Sequence, residues 1–547
     1  TPISVQMLIN SIINTSLTAP LVVLSLTLFG LLLLAAVLNA LRLHLVDVFG
    51  RRFYARMVSE ISLRAIYALN PFFDDNSDGA LNSALFNRYF DIVIVMKRIP
   101  YLLVGGFSIL LQAAVGFTLV SLYHPAFLAF NIGMVILVFG IWLVWGRRAV
   151  MSSLALSHKK HDAAAWLEGM GASNGFFKTR RHIDEALKRT DAVTAAYIDH
   201  HKIHFRHYFS QAVAFLVLYA FAGSSLLGLG GWLVIQGELS VGQLVAAELV
   251  LSAVFFGLSQ LGTYLSYFYD LCAAVEELSL FYDVEQEDDT GDEEHLGGSE
   301  LELVQTKGVA RGIEATFDFL LPAGSLAMAK APSHAVQRLF TNIMKRHVSA
   351  PGGYVTAGGV DIYSIRAHSL RNEVIVLDRP NVTEMTIREF LQLSGDGTSS
   401  ASLLPALRAV GLAGTVAQLE SGMDTKLAAT GWPLSLVEMM QLKLAAAIIA
   451  KPCILVLSQL YDMLPEKIVL NAARLLQEQK KATVIYFSNR QPSAAYSRFL
   501  YMGRSQQQVF DSADDFLTHY RQRVAARAGR EGNQGPDDAV EPVAADG

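Results

Sequence analysis

The chain has 547 residues, 52% of them hydrophobic and only 17% charged, with mean hydropathy +0.35. A soluble chain carries about 25% charged residues, so the composition excludes an ordinary soluble protein, and the length argues for two or more domains. The net charge of -5 offers no electrostatic footprint for nucleic acid, and Cys272 and Cys453 form neither a disulfide framework nor a metal-spaced pair.

A membrane span needs ~20 mostly apolar residues, because the hydrocarbon core is about 30 Å thick. Five stretches qualify: 17–41, 100–122, 126–146, 209–235 and 239–258. The apolar piece 2–13 is too short to cross alone. It reads as the end of a span whose beginning precedes Thr1, so the chain is taken as cut at its N-terminus. Basic residues set the orientation. Arg42, Arg51, Arg52, Arg56, Lys97 and Arg98 follow the first span, and Arg147, Arg148, Lys159, Lys160, Lys178, Arg180 and Arg181 follow the third. Both loops are therefore predicted to be cytoplasmic. The opposite turns, 123–125 and 236–239, carry no Lys or Arg. With the missing start restored, the pattern gives six spans with both ends inside. Apolar residues at helical spacing continue through 164–187 and 191–207, so helices are predicted to run on beyond the bilayer, with breaks at 70–79 and 169–175.

Residues 285–300 read EQEDDTGDEEHLGGSE, an acidic linker without apolar periodicity. This divides a helical membrane domain, 1–284, from an α/β domain, 301–523. In the latter, strands are predicted at 301–304, 317–321, 326–329, 374–377, 454–457 and 483–487. Helices are predicted at 335–347, 438–450 and 466–479. Strand–helix alternation implies a parallel sheet with helices packed on it. Residues 524–547 are polar and Ala/Gly-rich, and are predicted to be a disordered tail.

This order of parts resembles a half-transporter of the ATP-binding cassette (ABC) exporter family. The phrase TPISVQMLINSIIN (1–14) resembles the end of that family's first span, and GGWLVIQGELSVGQLVAAELVL (230–251) its fifth-to-sixth span turn. Residues 268–284 resemble the exit toward the cassette. PAGSLAMAKAPS (322–333) falls at the phosphate loop, GGYVTAGGVDIYSI (352–365) at the following strand pair, and TIREFL (386–391) after the glutamine loop. PLSLVEMMQLKLAAAIIAKPCILVLSQL (433–460) resembles the signature helix running into the second acidic motif. The implied fold is an all-α six-span exporter-type membrane domain, its first span truncated, followed by an α/β P-loop-like cassette.

The residues that carry the family's chemistry are altered. A phosphate loop needs glycines, then Lys and Ser/Thr. Gly324 to Lys330 has a superficial spacing, but 326–329 reads as strand. The preferred register is 330–337, with Lys330 opening the loop and Ser333 capping the next helix. It puts Val336 at the lysine position and Gln337 at the Ser/Thr position, without a glycine. The second acidic motif ends in Ser458 and Gln459, where magnesium binding and water activation call for Asp and Glu. Asn489 stands at the switch histidine and Asp378 at the loop glutamine, and no aromatic lies near 304–316 to stack on adenine. The resemblance thus implies a cassette deficient in ATP hydrolysis, with ATP and magnesium available only through a partner cassette. The residues left for nucleotide contact are Lys330, Ser333, Gln337 and Ser435. Of the signature, only Leu434 and Ser435 survive. Ser435 has two readings: it completes a partner's nucleotide site, or it caps its own helix.

Other polar residues also have two readings. His200, His204 and His207 share a helix face, where a metal site or a solvated face would fit. Asp91 is expected to pair with Arg88 or Lys97. Glu248, Gln243 and Gln211 lie in spans and are candidates for a transport pathway, or for packing between helices. The leading function is a subunit of an ABC exporter-like transporter, in the bacterial inner membrane with its cassette in the cytoplasm. It would pair as a homodimer or heterodimer with another half-transporter. The alternative is a non-transporting pseudo-transporter acting as scaffold or regulator. The cargo is not readable from the residues.

Overall fold

A computed structural model describes residues 18–69, 85–287, 291–310, 312–395 and 400–531. The chain divides into two compact units, Thr1–Gln286 and Glu287–Gly547.

The first unit is built from long helices. Helix α1 spans Thr18–Ile66. A 3-10 turn, Phe86–Phe90, leads into α2, Asp91–Pro100. A π turn, Tyr101–Gly106, joins α2 to α3, Phe107–Ser121. Then come α4, Pro125–Ala172; α5, Arg180–Ile235; α6, Val241–Ser259; and α7, Leu261–Ser279. The helices start where local chemistry sets them. The His124 ring accepts from the Ala126 N–H, with Pro125 at the first helical position. Ser240 and Gln243 form a capping box on α6. Among the described residues, five helical stretches are long and apolar enough to cross a membrane, and each overlaps one of the five predicted spans. Helices α4 and α5, with 48 and 56 residues, measure about 70 and 85 Å, more than twice the hydrocarbon thickness. The break predicted at 169–175 lies further on: α4 continues to Ala172, a 3-10 turn follows at Asn174–Phe176, and Thr179 caps α5. The piece 2–13, the phrase 1–14 and the break 70–79 lie outside the described residues.

Asp91 does not pair within its own segment. Only 1% exposed, it takes Lys160 at 2.7 Å and His161 at 2.8 Å, both from α4. Arg88 instead meets Glu277 of α7 at 2.6 Å. The start of α2 points inward, so buried charge is matched across helices rather than along one.

The second unit contains two sheets. Strands β1 (Leu301–Ala310), β2 (Ile313–Leu321), β4 (Gly352–Ala357) and β5 (Val360–Asp361) form an antiparallel sheet in the order β2-β1-β4-β5. The other sheet contains β3 (Leu326–Lys330), β6 (Val374–Leu377), β7 (Ile454–Leu457), β8 (Thr483–Phe487), β9 (Arg498–Met502) and β10 (Gln507–Phe510). Its order is β10-β9-β3-β8-β7-β6, parallel except for the β9–β10 hairpin. Helix α8, His334–Met344, packs between the sheets. Its Phe340 lies 5.8–6.0 Å from the rings of Phe317, Phe319 and Phe487. Helix α9, Ala367–Glu373, adds Leu370 to this core. On the other face, a second core gathers the short helices α10, Ile387–Gln392, α11, Ser400–Ala409, and α12, Ala413–Gln418, with the longer α13, Leu436–Ala450, and α14, Glu466–Lys480.

Two expectations change here. The acidic linker is not free: its described residues from Glu287 onward belong to the second unit and are bonded within it. The Leu296 N–H donates to Glu373, and the Ser299 hydroxyl to the Lys481 carbonyl at 2.6 Å. Glycine makes this fit, since a Cβ at Gly297 would stand 2.2 Å from the Gly358 carbonyl oxygen. The tail is also shorter than expected. Helix α15, Ala513–Glu531, runs eight residues into 524–547. Its buried Phe516 stacks on Phe499 at 5.6 Å, and the Ala- and Arg-rich stretch beyond has good helix propensity. Residues 532–547 lie outside the described residues.

Candidate functional site

In an open parallel sheet, ligands bind outside the carboxyl ends of the strands. The sheet register puts the sequence-predicted stations Lys330, Asp378, Ser458, Gln459 and Asn489 at or just beyond that end. Ala329 pairs with Phe487, Leu457 with Tyr486, and Leu377 with Leu457. Lys330, Asp378, Ser458 and Ser488 therefore leave the sheet at one edge, with Gln459 and Asn489 next in the chain. Two backbone bonds close the row: the Ser458 N–H donates to Leu377, and the Ser488 N–H to Ala329, both at 3.1 Å. Gly324 sits at the opposite end of β3, where its N–H meets the Thr483 hydroxyl, so the register beginning at Gly324 is strand and not loop.

Between β3 and α8 there are only three residues, Ala331, Pro332 and Ser333. A phosphate cradle is made of successive backbone N–H groups, and Pro332 has none. The Val336 and Gln337 N–H groups both bond to the Ser333 carbonyl. Val336 is 1% exposed and belongs to the core between the sheets. Gln337 is 2% exposed, and its Oε1 has no partner among the described residues. Ser458 is likewise buried, and its Oγ has no partner among the described residues. Lys330 points at the ring of Tyr520 on α15, 5.1 Å away. Burial pulls its ammonium below the usual lysine range, against the opposing charge of Asp462. This donor set does not fit a magnesium-bound nucleotide. The loop offers no cradle, Val336, expected at the lysine position, lies in the apolar core, and Ser458, expected at the metal position, presents a neutral, sunken hydroxyl.

The strand ends are held by residues that sequence reading passed over. Asp462 accepts from the Tyr486 hydroxyl at 2.5 Å, the Ser488 hydroxyl at 2.6 Å and the Asn489 N–H at 2.8 Å. Arg490 donates to the Asp462 carbonyl. Asp378 is bound by Lys345 at 2.6 Å. Tyr461, buried beside Asp378, has its phenol pushed up by desolvation. Asp462 closely follows the motif positions, but its partners lie more than twenty residues on, beyond the reach of local pattern.

Ser435 is the N-cap of α13. Its hydroxyl donates to Glu438 at 2.8 Å, the Ser435 N–H donates to the same carboxylate, and the Glu438 N–H returns to the hydroxyl at 3.3 Å. The hydroxyl proton that a phosphate would require is committed to Glu438, and a carboxylate already faces the helix N-terminus. Ser435→Ala should destabilise the full-length chain by about 1 kcal/mol, read by denaturant titration. The Ser435 N–H and hydroxyl hold the Glu438 carboxyl below its usual range. A depressed carboxyl contributes stability above its unfolded pKa of about 4.3 and loses it as pH falls through the lower, folded value. The gap between Ser435→Ala and the parent chain should therefore be full at neutral pH and narrow below about pH 4.

In the first unit, Gln211 is fully buried and accepts the Tyr269 hydroxyl at 2.9 Å, tying α5 to α7. Gln243 spends its side chain on the α6 cap. Glu248, half-buried, accepts from Ser252 one turn on. Of the histidines, His200 Nδ1 faces the Ala196 carbonyl, and His204 Nδ1 faces the Ser152 hydroxyl.

Residues 1–165 match the family model described as the ABC transporter transmembrane region. The chain is 26% identical over 467 residues to an ABC multidrug transporter of Aspergillus fumigatus, covering 79% of this chain and 55% of that protein. It is 25% identical over 281 residues to a β-(1→2)-glucan export ATP-binding/permease protein of Bartonella bacilliformis, covering 48% and 45%. The chain spans about half the length of these curated relatives. Among solved structures it is similar to a bacterial Atm1-family ABC exporter with ATP bound: TM-score 0.80 and 16% identity, over 98% of this chain and 96% of the other. The two units therefore have the ABC exporter fold.

Proposed function

We propose that this chain, an ABC exporter-type half-transporter by fold, is a subunit whose own cassette does not hydrolyse ATP and which works with a second half-transporter. The reading rests on the strand-end site. A three-residue loop stands where phosphates would be cradled, Val336 is buried in the core, and Ser458 and Gln459 stand where a metal ligand and a base are needed. An intact partner supplies ATP and magnesium chemistry, and this cassette acts as the docking half. The chain lies in a bacterial inner membrane with its cassette in the cytoplasm, consistent with the basic stretches that follow its first and third spans.

Affinity purification of the tagged full-length chain from its native membrane tests this. A half-transporter with intact motifs should copurify, and the complex should hydrolyse ATP. Recovery of the chain alone, as a homodimer with saturable ATPase activity, would overturn the proposal.

A further inference from the structure

Two cavities lie side by side between α1 and the α2–π-turn segment. One, of about 360 Å³, is almost wholly apolar, with Leu38, Leu41, Leu45 and Leu103 in its wall. The other, of about 810 Å³, carries Arg42, Arg51 and Lys97 with the rings of Tyr54, Tyr101 and Tyr264. Both are lined by Arg42, Val46, Pro100 and Val104, so they form one groove with an apolar end and a basic end. Arg51 is matched by Asp47 at 2.9 Å. Arg42 and Lys97 make no ion pair among the described residues, which leaves the basic end with a net charge that its wall does not cancel.

The groove sits where both of its helices change character. Arg42 ends the apolar run 17–41, and Lys97 stands just before the apolar run 100–122. That level is where a lipid headgroup meets its acyl chains, and basic pockets between spans bind anionic headgroups. The π turn supports the same reading, because such turns recur at functional sites. Here Gly105 lets Tyr264 of α7 close the floor, since a Cβ at Gly105 would stand 2.3 Å from the Tyr264 hydroxyl.

We propose that this groove binds a membrane lipid with an anionic headgroup, the phosphate held by Arg42 and Lys97 and the upper acyl chain laid against Leu41, Leu45 and Leu103. The proposal concerns binding and is independent of which cassette hydrolyses ATP.

The test titrates the full-length chain, in neutral detergent without nucleotide, with phosphatidylglycerol and phosphatidylcholine carrying the same fluorophore. Phosphatidylglycerol should bind roughly thirtyfold tighter, given two headgroup cations. Arg42→Gln with Lys97→Gln should erase that preference. Val104→Trp, which fills the wall common to both cavities, should weaken both lipids. Circular-dichroism melts confirm that each variant is folded. Equal affinity for the two lipids, or an undiminished preference in the double variant, overturns the proposal. So does full competition by inorganic phosphate, which would mark an anion site without an acyl component. A groove covered by a second copy would instead show a change in sedimenting mass with unchanged lipid binding, and that too overturns it.

Discussion

Purified alone, the chain is expected to turn over ATP more slowly than about 10⁻³ s⁻¹, against about 1–10³ s⁻¹ for typical enzymes. Restoring the missing side chains one for one should not rescue it. With Val336→Lys, Gln337→Ser, Ser458→Asp and Gln459→Glu combined, the rate should stay at background. Phosphoryl transfer depends almost wholly on positioning and electrostatic stabilisation, and the positioning element is backbone. Three loop residues, one of them Pro332, cannot present the run of N–H groups that holds a triphosphate. The lysine would also start from a site 1% exposed within an apolar core, where an unpaired charge is strongly disfavoured. Replacing 330–337 with a glycine-rich loop in the same background is the informative comparison. If the four substitutions alone bring saturable hydrolysis, the backbone argument fails. If only the loop graft does, it stands.

Hydropathy made the membrane helices legible, because a span is a local signal: twenty apolar residues need no partner to be recognised. The parallel strands were legible for the same reason, as short buried apolar runs such as 454–457 and 483–487. What local pattern could not carry was pairing. The β9–β10 hairpin alternates weakly and is bounded by Gly503 and Ser505, and its place beside β3 depends on contacts over 170 residues away. The acidic stretch looked like solvent-loving linker. Yet Glu287 is forked by Arg371 at 2.7 and 2.8 Å, and Leu296 is tied to Glu373, partners that charge counting cannot name. At the strand ends the identities were readable residue by residue. Their consequence was not: the shortness of the loop and the burial of Val336 depend on where α8 begins.

The same limit made Asp91 and Arg88 look like neighbours, and their true partners set the largest stability effect expected in the membrane unit. Arg88 and Glu277 meet at 2.6 Å with side chains 8% and 0% exposed, joining the turn before α2 to α7 across 189 residues. The pair is incompletely satisfied: Arg88 Nη1 and Glu277 Oε1 lack hydrogen-bond partners among the described residues, and Oε1 faces His158 Nε2 only at 3.8 Å. Removing one member strands the other as a buried charge, which costs about 3–5 kcal/mol, whereas replacing both with apolar groups of similar volume is often neutral or stabilising. Arg88→Ala and Glu277→Ala should each lower the stability of the full-length chain by about 3–5 kcal/mol in a detergent-denaturant titration. Arg88→Met with Glu277→Leu should recover most of that loss. The double variant separates two meanings of the pair. Recovery means that its role is charge matching in a dry interface. A double variant as weak as the singles means that its geometry sets how α7 seats against the start of α2, and the ion pair then specifies that arrangement as well as neutralising it.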